Sequence, residues 1–194
     1  MNQKNMKITL VATIIAMSLG MFNWATFGGT PPQVGEVLPD ITLPIPENDA
    51  EKAYLGIKGG EFFTIPQIKA RVVIIEIFSM YCPYCQREAP KVNQLYSLIE
   101  NDPVLRDKIK LLGIGAGNSS FEVEVFKGKY NVPFPLISDG DFTLYKSIGE
   151  VRTPYFFGVR INDDGTHQVF YSKLGEFGGP EEFLQTMVQL SGLK

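Results

Sequence analysis

The segment RVVIIEIF, Arg71 to Phe78, constrains the fold of this 194-residue chain more than any other. It is nearly continuous in β-branched and large apolar residues. A strand with one wet face alternates apolar and polar residues, whereas an unbroken apolar run suits a parallel strand buried on both faces. Such a strand needs helices above and below it, so the run predicts an α/β sheet. Sequence on either side agrees. QREAPKVNQLYSLIE follows with a helical spacing that puts Val92, Leu95, Tyr96, Leu98 and Ile99 on one face, and Pro90 inside it predicts a kink.

Further elements can be read along the chain. IKLLGIGAG (109–117) reads as a second strand, and Asn118, Ser119 or Ser120 can cap a helix through FEVEVFKGKY. FPLIS (134–138) reads as a short strand and DFTLYKSIG as a short helix ending at Gly149. PYFFGVRI and THQVFYSKL flank the turn NDDG as a hairpin, with His167 at its surface. PEEFLQTMVQLSGL closes the chain as a helix with Pro180 in its first turn. The sheet is therefore expected to be mixed. Before it, TPPQVGEVLPDITLPIPENDAE reads as an extended Pro-rich linker entering an edge strand near Ile41, and FFTIPQI as a short strand or turn.

The first residues differ in kind. Lys4 and Lys7 precede an apolar run from Ile8 to Phe22, and Gly28, Gly29, Pro31 and Pro32 follow it. This pattern predicts a signal peptide or an N-terminal membrane anchor over residues 1–29, and one domain over 30–194. The run is short for a spanning helix of about 20 residues, and no clean A-x-A cleavage site is present. The domain is expected outside the cytoplasm, with attachment through residues 8–22 left open. A net charge of −3 without a basic block argues against a nucleic-acid partner.

The chain has two cysteines, Cys82 and Cys85, in SMYCPYC directly after the apolar strand. Structural zinc needs four ligands, and His167 is the only histidine; no metal is expected. A staple across two residues closes almost no loop, so it stabilises little. Redox chemistry fits both spacing and placement. A helix N-terminus offers free N–H groups and partial positive charge, which favour a thiolate. Cys82 at the helix start is then the nucleophile and Cys85, one turn in, the resolving thiol. No cofactor beyond the Cys82–Cys85 dithiol/disulfide is required. Tyr81, Pro83 and Tyr84 flank the pair as contact surface for a partner protein.

Other residues support this reading. Glu76 interrupts the apolar strand six residues before Cys82, where a buried carboxylate is costly. Desolvation would raise its pKa and suit it to exchange a proton with Cys85; the competing reading turns it outward from a less buried strand end. Glu88 lies six residues after Cys82, either beside the thiols or exposed on the helix. Thr153-Pro154 starts a strand, and the backbone before the proline can pair with an extended substrate chain. Arg152 reads as a solvated loop residue.

These landmarks resemble the thioredoxin superfamily, above all its exported TlpA/ResA-type thiol–disulfide oxidoreductases, over roughly Val34 to Leu193. RVVIIEIF with SMYCPYC resembles the family strand and WCxxC, with Tyr81 in place of the Trp. Pro90 resembles the helix-kink proline, VRTPYFFGV the cis-proline loop, and VGEVLPDITLP the redoxin-type N-terminal extension. The resemblance implies a thioredoxin-like fold with a mixed central sheet flanked by helices and that extension, a cis Thr153-Pro154 bond, and an acid at Glu88 that tunes the thiols. It implies a reductant of protein disulfides, often serving cytochrome c maturation, recharged by a membrane thiol donor. CPYC itself is the glutaredoxin tetrapeptide, but no Gly-Gly-Asp follows Pro154 closely. Two alternatives stay open. One is a protein disulfide oxidant using the same residues. The other is a peroxiredoxin-like peroxidase, although its P-x-x-x-T-x-x-C motif would place Ile75 and Ser79 where proline and threonine belong.

Overall fold

A computed structural model describes residues 29–193. The signal or anchor expected over residues 1–29, including the apolar run 8–22, lies outside the described residues apart from Gly29. The Arg71–Phe78 run forms β3 (Val72–Phe78), in which every residue is buried. It is the middle strand of a five-stranded sheet ordered β5-β4-β3-β6-β7. β4 (Ile109–Ala116) pairs parallel to β3, and β5 (Leu136–Asp139) parallel to β4. β6 (Tyr155–Ile161) and β7 (His167–Leu174) complete the sheet antiparallel. This is the mixed sheet expected of a thioredoxin-like fold.

Alternation along β3 divides the core. Val73, Ile75 and Ile77 join one cluster, with Leu38, Leu43 and Leu55 from the N-terminal segment and Leu144 from α4 (Thr143–Ser147). Val72, Ile74 and Phe78 join the other, under α2 (Pro83–Asn101), α3 (Ser120–Tyr130) and α5 (Pro180–Ser191). Glu76 has the parity of Ile74 and Phe78, so its side chain lies on the α2 face.

The helices start where their sequence says they should. Ser119 caps α3, accepting from Glu122 N–H, and the Glu122 carboxylate reaches back to Ser119. Pro83 and Pro180 occupy first-turn positions, where a missing N–H costs nothing. Pro90 faces solvent and α2 continues through it, Val92, Leu95 and Ile99 staying buried.

Three expectations are corrected. The strand near Ile41 is β1 (Leu43–Pro44), which pairs with β2 (Phe62–Phe63) in a separate ribbon and does not edge the main sheet. The "linker" contains a helix, α1 (Asp49–Leu55), capped by Asn48 and closed by Gly56; Leu55 is its one buried residue, with Tyr54 partly buried against the same cluster. His167 is not on the surface. It is buried at 8% exposure, and its Nε2 lies 2.9 Å from the Leu38 carbonyl. A carbonyl only accepts, so Nε2 carries the proton.

That bond fastens the N-terminal segment to β7, beside backbone bonds from Gly35 to Val169 and from Val169 to Glu36. His167→Leu leaves the buried Leu38 carbonyl unpaired. The expected cost is about 1–3 kcal/mol in urea unfolding; a loss within about 0.5 kcal/mol, as for an ordinary surface change, would contradict the role.

Candidate active site

The parallel strands β3 and β4 deliver their C-terminal ends to one edge of the sheet, and antiparallel β6 begins there. Three loops therefore meet: Ser79–Cys82 after β3, Gly117–Ser119 after β4, and Val151–Pro154 before β6. In open α/β sheets this edge is where crevices form. Thr153-Pro154 is cis, as the resemblance implied.

The loop after β3 is held from two sides. Asn118, fully buried, accepts from Met80 N–H through its side-chain oxygen at 2.8 Å. Gln86 donates to the Met80 carbonyl at 2.7 Å. Cys82 N–H turns back to the Ser79 carbonyl at 3.0 Å. Cys82 thereby sits at the N-cap of α2, with extended backbone (φ −82°, ψ 115°) and its thiol half-buried. Cys85 is fully buried one turn in, and both are thiols here.

The two environments separate the thiols. For Cys82 the largest effect is burial, which alone raises the pKa. It is outweighed by hydrogen bonding from the Thr153 side chain, the Cys85 and Tyr84 backbone N–H groups and the Cys85 thiol, leaving Cys82 below its ordinary 9.0. The Tyr84 and Cys85 N–H groups are the free first-turn donors of α2. The Thr153 carbonyl works the other way, accepting from the Cys82 thiol at 3.3 Å. For Cys85, burial dominates and pushes the pKa far up. The negative charges of Glu76 and Cys82 add to this, and the Ser79 backbone opposes it.

Glu76 resolves in favour of the buried reading. It is 3% exposed, between Gly113 and Phe156 in the sheet, and its Oε1 has no partner among the described residues. Burial, with smaller contributions from the charges of Glu88 and Cys82, raises its pKa from 4.5 to about 8. Glu88 is not exposed either. Its side chain is fully covered, and it accepts from Phe177 N–H at 2.8 Å and Lys91 at 3.3 Å. Burial raises its pKa, and these two donors oppose the rise. It ties α2 to the loop before α5, and its charge contributes to the raised Glu76 pKa.

Tyr81, Pro83 and Tyr84 are exposed around Cys82. Tyr81 donates its hydroxyl to Glu122, and Arg87 lies 4.5 Å over the Tyr84 ring. Arg152 is exposed beside Thr153 and makes no bond to Cys82 among the described residues. No group of three His, Cys, Asp or Glu among the described residues is placed to hold a metal. Sequence reasoning considered Asn118 only as a cap and missed its grip on the loop, as it missed Gln86 and Glu122. A polar residue in the glycine-flanked turn ending a buried strand was the available signal for Asn118.

Comparison with known proteins places this geometry in context. The AhpC/TSA family profile matches residues 34–170. Thiol-disulfide oxidoreductase ResA of Geobacillus thermodenitrificans is 22% identical over 156 residues, 79% of this chain and 80% of its own length. A Coxiella burnetii protein named as a peroxiredoxin, bcp, is 28% identical over 129 residues, 66% of this chain and 74% of its own. StoA from Bacillus subtilis superposes with a TM-score of 0.54 at 22% identity, covering 77% of this chain and 96% of that structure. These likenesses bear out the thioredoxin-like fold.

The Glu76 carboxyl leads to a signed expectation. Its pKa is about 8 in the folded chain and near 4.5 when exposed, so between those values the unfolded chain holds fewer protons on it. Its stabilising contribution is then complete below about 4.5 and declines as pH rises towards 8. Glu76→Gln stays neutral throughout. Urea unfolding should show the variant gaining on the native chain from about pH 5 to pH 8; a constant difference would contradict the buried acid.

Proposed function

Because the chain belongs to the AhpC/TSA family, we propose on that premise that it is a thiol–disulfide oxidoreductase of the ResA type, reducing disulfides of exported proteins. The observation that carries this reading is the contrast within the pair: an accessible thiol lowered at a helix start beside a fully buried one raised by its surroundings. Names of relatives support it.

In the proposed cycle the Cys82 thiolate attacks one sulfur of a substrate disulfide. A Cys82–substrate bond forms, the substrate S–S bond breaks, and its electron pair leaves on the second sulfur, which takes up a proton. Cys85 then passes its proton to the Glu76 carboxylate and attacks the Cys82 sulfur. The mixed disulfide breaks, the first substrate sulfur leaves and takes that proton from Glu76, and Cys82–Cys85 closes; the proton taken up by the second sulfur is the one Cys82 released on ionising. Two electrons and two protons have moved to the substrate. A Glu76 pKa near 8 suits it to take the Cys85 proton near neutral pH. The Thr153 backbone beside Cys82 suits pairing with an extended substrate segment, with Tyr81, Pro83 and Tyr84 as surrounding contact surface. Glu88 modulates the pair through Glu76. We place the reaction outside the cytoplasm, with apocytochrome c disulfides among the substrates and a membrane thiol donor restoring the dithiol. Residues 8–22 are proposed as export signal or anchor ahead of the domain at 30–194.

The peroxidase reading is favoured by the bcp likeness. Against it stand Ile75 and Ser79 at the motif positions.

Cys85→Ser in the full chain should trap disulfide-linked proteins from an exported-protein fraction, and Cys82→Ser should trap none. No adducts with Cys85→Ser would contradict the mechanism, and peroxide turnover surviving that substitution would transfer the assignment to a peroxidase. A midpoint near −270 mV supports the reductant, and one near −120 mV an oxidant.

A further inference from the structure

Beside the attacking thiol is a pocket of about 430 Å3, lined by Tyr81, Phe142, Tyr145, Val151, Arg152 and Thr153 among others. That volume falls within the range of about 300–1,000 Å3 typical of ligand clefts. It is continuous with the reacting centre: Tyr81 precedes Cys82, and the Thr153 carbonyl contacts the Cys82 sulfur. The chemistry assigned above uses only its Tyr81 and Thr153 edge and leaves the rest of the cavity without a role.

Its outer wall is built at a conformational cost. Phe142 is held at φ +62°, ψ 20°, in the left-handed region that bulky residues avoid. Strain of this kind is kept where the surroundings over-determine it, commonly at binding sites. Here Asp139 does so. Its carbonyl accepts from Phe142 N–H at 3.1 Å, and its buried carboxylate accepts from Leu144 and Tyr145 N–H at 2.9 and 2.8 Å. The Phe142 ring then stands edge-on to Tyr145, centroids 5.6 Å apart, and covers Gly117 so closely that a Cβ there would lie 2.3 Å from the ring. The ring is nonetheless 43% exposed, and Tyr81 is 66% exposed. Two exposed aromatic residues thus line a cleft adjoining the thiol. At its rim Arg152 is exposed and has no ion-pair partner among the described residues.

We infer that this pocket is a side-chain subsite for the substrate protein: it seats a large apolar or aromatic residue flanking the attacked cysteine, while Arg152 meets an acidic residue beside it. An extended segment pairing with the Thr153 backbone turns both neighbours of its cysteine to the face opposite the cysteine side chain, and the subsite takes one of them. This rests on the exchange reaction proposed above and deepens it by naming which disulfides react fastest.

The test uses the reduced full chain and a set of short peptides, each with one cysteine blocked as its glutathione disulfide. The flanking residue is Phe or Gly, and the next is Glu or Lys. The Phe peptide should react at least about tenfold faster than the Gly peptide, a discrimination typical of apolar pockets, and Glu should outpace Lys. In Phe142→Asn the Phe-to-Gly ratio should fall to within about twofold, and Arg152→Glu should reverse the order of Glu and Lys. Equal rates for Phe and Gly peptides, or a ratio untouched in Phe142→Asn, would overturn the subsite. Should Phe142→Asn fail to fold, the exposed Arg152→Glu decides: an unreversed order overturns the inference. Glutathione disulfide alone separates the two levels, since failure of the native chain to react with it at all would sink the exchange reaction itself.

Discussion

The first turn of α2 is the constraint on which the site depends. A helix start leaves backbone N–H groups without partners, and here those of Tyr84 and Cys85 are turned towards the Cys82 sulfur. They can do this only if the loop before them is fixed, because Cys82 must act as N-cap while β3 ends four residues earlier. Asn118 and Gln86 grip the Met80 peptide on its two sides, and the turn from Ser79 to Cys82 closes under it. Asn118 is itself placed by β4, the parallel neighbour of β3. The acidity of one thiol therefore rests on the pairing of two buried strands.

Burial works in opposite senses on the two cysteines and ties Glu76 to both. Cys85 lies in the core with Val92 and Phe78, where a thiolate has no solvation. Glu76 lies on the same face of β3 with an oxygen that no donor among the described residues satisfies, an arrangement that ordinary packing would remove. An unsatisfied buried acid is destabilising, and its retention is intelligible if the carboxyl has a proton to move. Glu88, anchored to Phe177 and Lys91, adds negative charge from the next layer and holds the Glu76 pKa higher still.

Much of this was legible in the sequence because the signals were strong and local. The nearly continuous apolar run of β3 pointed to a central strand, and its position put Cys82 at a helix start. Glu76 stood out because charge and apolar context conflict there. What escaped was set by tertiary contacts. The α1 helix is only seven residues long and sits among prolines, so Asn48 and Gly56 gave too little period to read. His167 is polar and follows a turn, yet the N-terminal segment folds over it and supplies the Leu38 carbonyl from 129 positions away. Glu88 looked equally suited to solvent, because its buried partner, Phe177 N–H, arrives from another helix's approach. The left-handed Phe142 has no sequence signature at all.

The central claim is that one fold gives two cysteines of one motif opposite acidities. Site-resolved alkylation of the reduced full chain with iodoacetamide across pH, read by peptide mass spectrometry, measures this directly. The account predicts that Cys82 is labelled with a midpoint below the ordinary thiol value of 9.0, while Cys85 stays unlabelled throughout that range. Labelling of both with a common midpoint, or of Cys85 first, would contradict it.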